Sequence, residues 1–342
     1  MKHIFSIHSN ICVIVIYDTV KKLIERGEDV IILSDRNAEF PFFQNSINFI
    51  DIQYITDNYR GDCSTPIKKL INYTFRYLPK YKESAKKVID DEDFILYISS
   101  CNYFTIAPYL CSNHCKGYYF IEEGTMAYMD VNKLKKRYER QVRKGQFLLN
   151  FVGAGTRFDY EITPLYKGCI CISEYAFPWC NDRKIINNLQ NYKAVIPQSS
   201  NSYTHVIVTD YLDEDIDVIL RAFRIVMDLI IKDESSIRIC IKMHPTAFSY
   251  QQKKIELIKE FVNKKYEEYH IDFVPVSFTI ENLLMSGKTQ VYSIFGVSSL
   301  LLYAVNFGSR SFVLNYNDEK ITCDELFTVQ DILDDVYKNQ DL

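Results

Sequence analysis

The chain has 342 residues, of which 47% are apolar and 25% charged, with a net charge of −4. That length suffices for two domains of ordinary size, each with a core of its own. The charge balance excludes a polycation that wraps nucleic acid, and no apolar run reaches the roughly 18 residues that span a bilayer.

Strand and helix patterns alternate in chain order. Residues 3–9 read as a strand, 11–26 as a helix closed by Gly27, and 30–34 and 47–55 as strands. A helix over 67–88 follows, then a strand over 94–99, a helical stretch over 105–111 and a strand over 117–121. Residues 126–144 read as a charged helix whose basic run fits a solvated face. The region 145–200 is less regular, with a strand over 170–173 and a loop over 178–180. A second series starts near Thr204, with strands over 205–209, 237–243, 273–276, 290–294 and 311–315. Helices over 214–232, 250–269, 281–285 and 297–305 fall between them.

Such alternation implies parallel sheets with helical crossovers. The polar stretch from Pro197 to Ser202 reads as a linker between two doubly wound, Rossmann-like domains facing a central cleft. The expected bounds are 1–198 for the first domain, 203–325 for the second and 326–342 for a helical tail. Ten cysteines lie without disulfide-scaffold spacing and without a paired zinc-ligand pattern. They read as reduced thiols of a cytoplasmic protein, and the amino terminus does not read as a signal peptide. There is neither a dinucleotide-binding glycine motif nor a P-loop, which argues against a dehydrogenase or a P-loop kinase.

Three segments carry chemistry. In Phe120-Ile121-Glu122-Glu123-Gly124, two carboxylates end a strand and a glycine turns the chain. Neighbouring strand residues point to opposite faces, so one carboxylate is expected to face a cleft, where it can serve as a general base, while the other supports the loop or caps the next helix. The plainer alternative is a helix-capping cluster. In Lys242-Met243-His244-Pro245, a histidine and a proline stand where a strand gives way to a loop. An imidazolium there suits charge developing on a leaving phosphate, whereas the plainer alternative is a turn histidine. In Tyr292-Ser293-Ile294-Phe295-Gly296-Val297-Ser298-Ser299, a strand turns through Gly296 into a helix. Ser298 and Ser299 would add hydroxyls to the open backbone N–H groups of its first turn, an anion site, or simply cap it. By position alone, Thr209 and Asp210, at the end of the second series' first strand, are candidates to meet a phosphate, and Glu281 is either an acceptor for a ribose or base or a plain acid at a helix head.

These segments resemble the bacterial sialyltransferases of the lipooligosaccharide and polysialyltransferase type, which share an acidic pair before glycine, an HP pair and a serine pair. Here they read Glu122-Glu123-Gly124, His244-Pro245 and Ser298-Ser299, in the same order. The resemblance implies a GT-B fold and inverting, metal-independent transfer of sialic acid from CMP-Neu5Ac to a bacterial surface oligosaccharide or glycolipid. It implies a base from the acidic pair, with Glu123 preferred to Glu122, and a donor site that includes Lys242, His244, Pro245, Gly296, Ser298, Ser299, Thr209 and Glu281. No cofactor is expected beyond the donor substrate, no nucleic acid partner is expected, and a dimer is compatible. Peripheral association with the inner face of the membrane fits a glycolipid acceptor. The alternatives are another CMP-activated sugar acid such as Kdo or legionaminic acid, a UDP-sugar GT-B transferase, a glycerophosphotransferase of wall-polymer type, or a non-catalytic sugar-nucleotide-binding protein.

Overall fold

The computed structural model describes residues 1–34, 38–52, 71–99, 105–128, 165–180, 182–196, 203–209, 212–233, 237–244, 247, 251–275, 278–285, 288–294 and 298–314. The chain divides into two units, Met1–Val195 and Ile196–Leu342. Each unit holds one parallel sheet.

Unit 1 opens on β1 (Lys2–Ile7), in which all six residues are buried. It is covered on both faces, so Lys2, His3 and Ser6 are buried along with Ile4, Phe5 and Ile7. It leads into α1 (Asn10–Glu25), buried without a break from Ile11 to Asp18 and exposed at Lys22 and Glu25. Five β-branched residues in that first half argue against a helix by propensity alone; burial overrides them. Next come β2 (Asp29–Ser34), β3 (Asn48–Asp51), a π-helical turn at Tyr73–Tyr77 and α2 (Leu78–Ile89). The unit continues with β4 (Phe94–Ile98), α3 (Ala107–Leu110) and β5 (Cys115–Ile121). Its last elements are β6 (Tyr166–Cys171), β7 (Lys184–Ile186) and α4 (Leu189–Lys193). The sheet order is β3-β2-β1-β4-β5-β6-β7, every pairing parallel.

Unit 2 repeats the scheme with β8 (His205–Thr209), α5 (Ile216–Asp233), β9 (Arg238–Lys242), α6 (Gln252–Lys265) and β10 (His270–Phe273). It closes with α7 (Ile280–Leu284), β11 (Gln290–Ile294), α8 (Ser299–Asn306) and β12 (Ser311–Leu314). The order is β10-β9-β8-β11-β12, again all parallel. Its core joins Ile239 and Ile241 of β9 to Phe223 and Met227 of α5 and Ile258 and Val262 of α6. Alternate residues of β9 therefore serve that core, and Lys242 falls on the other face.

Both sheets place their first strand third in the order, inside the sheet, so the winding reverses between β1 and β4 and between β8 and β11. In open α/β sheets, ligands bind outside the carboxyl ends of the strands at such reversals.

Several elements differ from the expectation. The strand expected over 273–276 lies at His270–Phe273, registered with Arg238–Ile241. Tyr266 and Tyr269 continue the helical spacing of Val262, but the helix stops at Lys265. Tyr266 turns its hydroxyl to Asp228 Oδ1 (2.8 Å) instead. β6 starts at Tyr166, four residues ahead of the expected strand, because Gly168 reads as a breaker yet lies inside the strand. Its φ is +148°, and a Cβ there would lie 2.2 Å from the Arg183 carbonyl oxygen, so only glycine fits. β7 and α4 were not expected. Residues 125–128 form a 3₁₀ turn, whereas the rest of the helix expected over 126–144, the linker over 197–202 and the tail over 326–342 lie outside the described residues.

Candidate functional site

In unit 1 the acidic pair follows β5. The Glu122 N–H extends the sheet pairing to the Ile170 carbonyl (2.9 Å). Its side chain is fully buried; Oε1 accepts from the Tyr128 hydroxyl, and Oε2 from the N–H groups of Ile172 (2.8 Å) and Ser173 (3.3 Å). Burial pushes its carboxyl up to about 6, against the pull of those three donors. Glu122 thus ties the end of β5 to the loop after β6.

Glu123 is half-buried, and its Oε1 accepts from the Ser9 hydroxyl at 2.9 Å. Ser9 is the N-cap residue of α1, at the carboxyl end of β1 and hence at the sheet reversal. Gly124 follows with φ +60° and turns the chain away. The two carboxylates have separate partners and do not form a dyad. Ser9 was not singled out from the sequence. The readable signal was a serine between a buried strand and a helix, at the carboxyl edge of the first strand.

In unit 2 the candidate residues follow adjacent strands. Val208 lies opposite Lys242, and Thr209 opposite Ile294, so the ends of β9, β8 and β11 sit side by side. Thr209 is buried; its hydroxyl accepts the His244 N–H (3.3 Å) and contacts the Met243 sulfur (3.6 Å). The His244 carbonyl in turn accepts from the Ala247 N–H (2.9 Å). His244 is thus a half-buried loop residue anchored through its backbone on both sides.

Lys242 ends β9 and donates from Nζ to the Phe278 carbonyl. Burial pulls its pKa down, while the nearby Glu281 charge works against that. Glu281 starts the second half of this pair at the head of α7. Burial raises its carboxyl, and Lys242 opposes the rise. Its Oε2 is buried with no hydrogen-bond partner among the described residues.

Ser298 is the N-cap of α8, not a residue of its first turn: its hydroxyl accepts from the Leu300 N–H (3.3 Å). The ordinary cap role is therefore met at Ser298, and Ser299 is the first helical residue. Pro245, Gly296 and Asp210 lie outside the described residues. Among the described residues, no group of three His, Cys, Asp or Glu side chains could hold a metal ion, and no helix is long and apolar enough to cross a membrane.

An open groove of about 680 Å³ lies elsewhere, lined by Lys2, Asp29 and Asn48 at the amino-terminal starts of β1, β2 and β3 and by Lys80, Glu83 and Lys87 of α2. Its place at the wrong end of the strands sets it apart from the carboxyl-edge groups.

Two tandem, wholly parallel sheets, each with its first strand inside the sheet and its helices as crossovers, define the GT-B fold. No model of a known protein family matches the sequence, and no curated protein matches it. Solved structures do. A structure named as a UDP-N-acetylglucosamine 2-epimerase from Listeria monocytogenes has a TM-score of 0.52 at 12% identity, over 93% of this chain and 80% of that one. The UDP-GlcNAc 2-epimerase from Methanocaldococcus jannaschii has a TM-score of 0.49 at 12% identity, over 98% and 92%. MurG from Acinetobacter baumannii has a TM-score of 0.36 at 11% identity, over 88% and 74%. Of these three, the Listeria structure carries the comparison, and it establishes the fold.

Proposed function

We propose that the chain is a GT-B glycosyltransferase that takes a sugar nucleotide as donor and passes the sugar to a hydroxyl of an oligosaccharide or glycolipid. The observation that carries this reading is the row of groups along the carboxyl edge of the second sheet. Thr209 and Lys242 end adjacent strands, His244 follows the second of them and Ser298 caps the helix after the third, with Glu281 near Lys242.

In this reading His244, Lys242 and the serine pair hold the donor phosphate, and Glu281 accepts from the nucleoside. The acceptor oxygen attacks the anomeric carbon as the bond from that carbon to phosphate breaks. Glu123 takes the acceptor proton, and the departing phosphate keeps the electron pair while His244 offsets its charge. The half-buried position of Glu123 supports it as the base over the sealed and triply hydrogen-bonded Glu122. No metal takes part.

Two donors have support. The uridine nucleotides draw on the fold likeness to a structure whose name specifies a UDP-sugar, and the comparisons favour them. CMP-activated sugar acids, CMP-Neu5Ac first, draw on the order and placing of the three motifs. With either donor the reaction belongs in the cytoplasm, and a glycolipid acceptor would bring the chain to the inner face of the membrane as a peripheral protein.

The test is a thermal-shift series with UDP, CMP, GDP and ADP, followed by donor hydrolysis and transfer. Stabilisation by UDP alone selects the first donor class, and by CMP alone the second. A nucleotide that binds while its sugar conjugates are never turned over would make the chain a binding protein. No response to any of the four would remove the sugar-nucleotide reading.

A further inference from the structure

At the end of β1, the chain forgoes a local hydrogen bond. Ser9 occupies the N-cap of the sixteen-residue α1 with extended backbone angles (φ −151°, ψ 163°), where a serine hydroxyl normally accepts from the second or third helical N–H. It makes no such bond. The hydroxyl instead reaches across 114 residues and donates to Glu123 Oε1 at 2.9 Å. Its oxygen also lies 3.5 Å from the Cys12 sulfur, one turn along α1. A serine hydroxyl has one hydrogen. With that hydrogen spent on Glu123, the Cys12 thiol is the donor to Ser9. Two polar hydrogens from the first turn of α1 therefore run in series to one oxygen of Glu123.

We propose that Ser9 is the positioning residue for Glu123: its hydroxyl fixes Oε1, so that Oε2 is the oxygen presented to the acceptor. This rests on the reading of Glu123 as the base. A carboxylate at the end of a strand has several rotamers to choose from; one held by a charge-assisted hydrogen bond keeps a single oxygen in place. Cys12 supports the arrangement from below. It is fully buried, and burial and the Glu123 charge both push its thiol up, so it remains a neutral donor throughout the working pH range. Glu122, the adjoining titratable group, has its carboxylate engaged by Tyr128, Ile172 and Ser173.

The test uses the full chain and compares kcat and donor KM in wild type, Ser9→Ala and Ser9→Thr. Ser9→Thr keeps a hydroxyl for Glu123 Oε1 and should restore the kcat that Ser9→Ala loses. Because Ser9 caps no N–H of α1, Ser9→Ala should melt within a few degrees of wild type. Transfer from UDP-GlcNAc and CMP-Neu5Ac, assayed in parallel, should fall about tenfold in kcat with the donor KM unchanged. A wild-type kcat in Ser9→Ala, or an equal loss in Ser9→Ala and Ser9→Thr, overturns the proposal. A loss in Ser9→Ala beside a fully active Glu123→Gln removes Glu123 as base, and the positioning role goes with it.

Discussion

At the scale of single residues, the acidic pair shows how one step along a strand separates two roles. Glu122 holds its proton more tightly when folded, at about 6 against an ordinary 4.5. Its contribution to stability is therefore complete below about pH 4.5 and is lost as pH rises through 6. That gap corresponds to about 2 kcal/mol. Wild type and Glu122→Gln compared by urea unfolding at pH 4.5 and 7 should show their difference changing by about that amount; a constant difference would mean that Glu122 titrates normally. On the second sheet, His244→Ala should lower transfer by about 10²–10³ with the fold intact, as for loss of one strong donor to developing charge. Thr209→Val takes away the acceptor of the His244 N–H and should weaken nucleotide binding without touching the imidazole itself. Wild-type turnover by His244→Ala would return that histidine to an ordinary turn.

At the scale of elements, what the sequence made legible depended on what competed locally. The bounds of β8 and β11 could be read to the residue: β8 is a β-branched run between Thr204 and Asp210, and β11 lies between the polar Lys288-Thr289 and the glycine at 296. The placing of β10 could not, since two tyrosines prolong the helical spacing of α6 past its end. The early start of β6 hides behind Gly168, whose need for an unusual φ is visible only once Arg183 is packed against it. The candidate groups of the second sheet were legible because a strand end followed by a loop is a position, and position survives small errors of register. Ser9 was not, because its partner lies 114 residues away and no local pattern signals such a bond. The helices rest on their buried faces: Phe223 of α5 is wholly enclosed by the second sheet's core. Phe223→Ala should cost about 3–5 kcal/mol in chemical unfolding, and a loss below 1 kcal/mol would show that α5 is not seated there.

At the scale of the whole molecule, two units with separate parallel sheets share a winding order, yet their carboxyl edges carry different chemistry. The edge of the first sheet carries a carboxylate held by a hydroxyl, and that of the second carries Thr209, Lys242 and His244, the residues proposed to hold phosphate. Bound nucleotide should therefore slow amide hydrogen exchange at Thr209, His244 and Leu300 and leave β1 and β5 unaffected. Protection confined to the first unit would exchange the roles of the two sheets. Since the phosphate is to be held by side chains and backbone N–H groups, EDTA should leave both the exchange pattern and turnover as they were.

The interior place of each first strand also governs how the chain is made. β1 finds β2 about 27 residues later, but its other neighbour, β4, begins about 90 residues after it. β8 waits almost as long for β11. At roughly 5–20 residues per second of synthesis, one side of a strand that ends up wholly buried stays open for several seconds on the ribosome. Pairing over such separations is slow in any case, because the intervening loop must close before the contact forms. The same strand order that reverses the winding within the sheet therefore leaves an unpaired strand edge on every nascent chain. Slower growth at reduced temperature, or a chaperone that shields β1 until β4 emerges, should raise the yield of folded protein more than any change at the sites themselves.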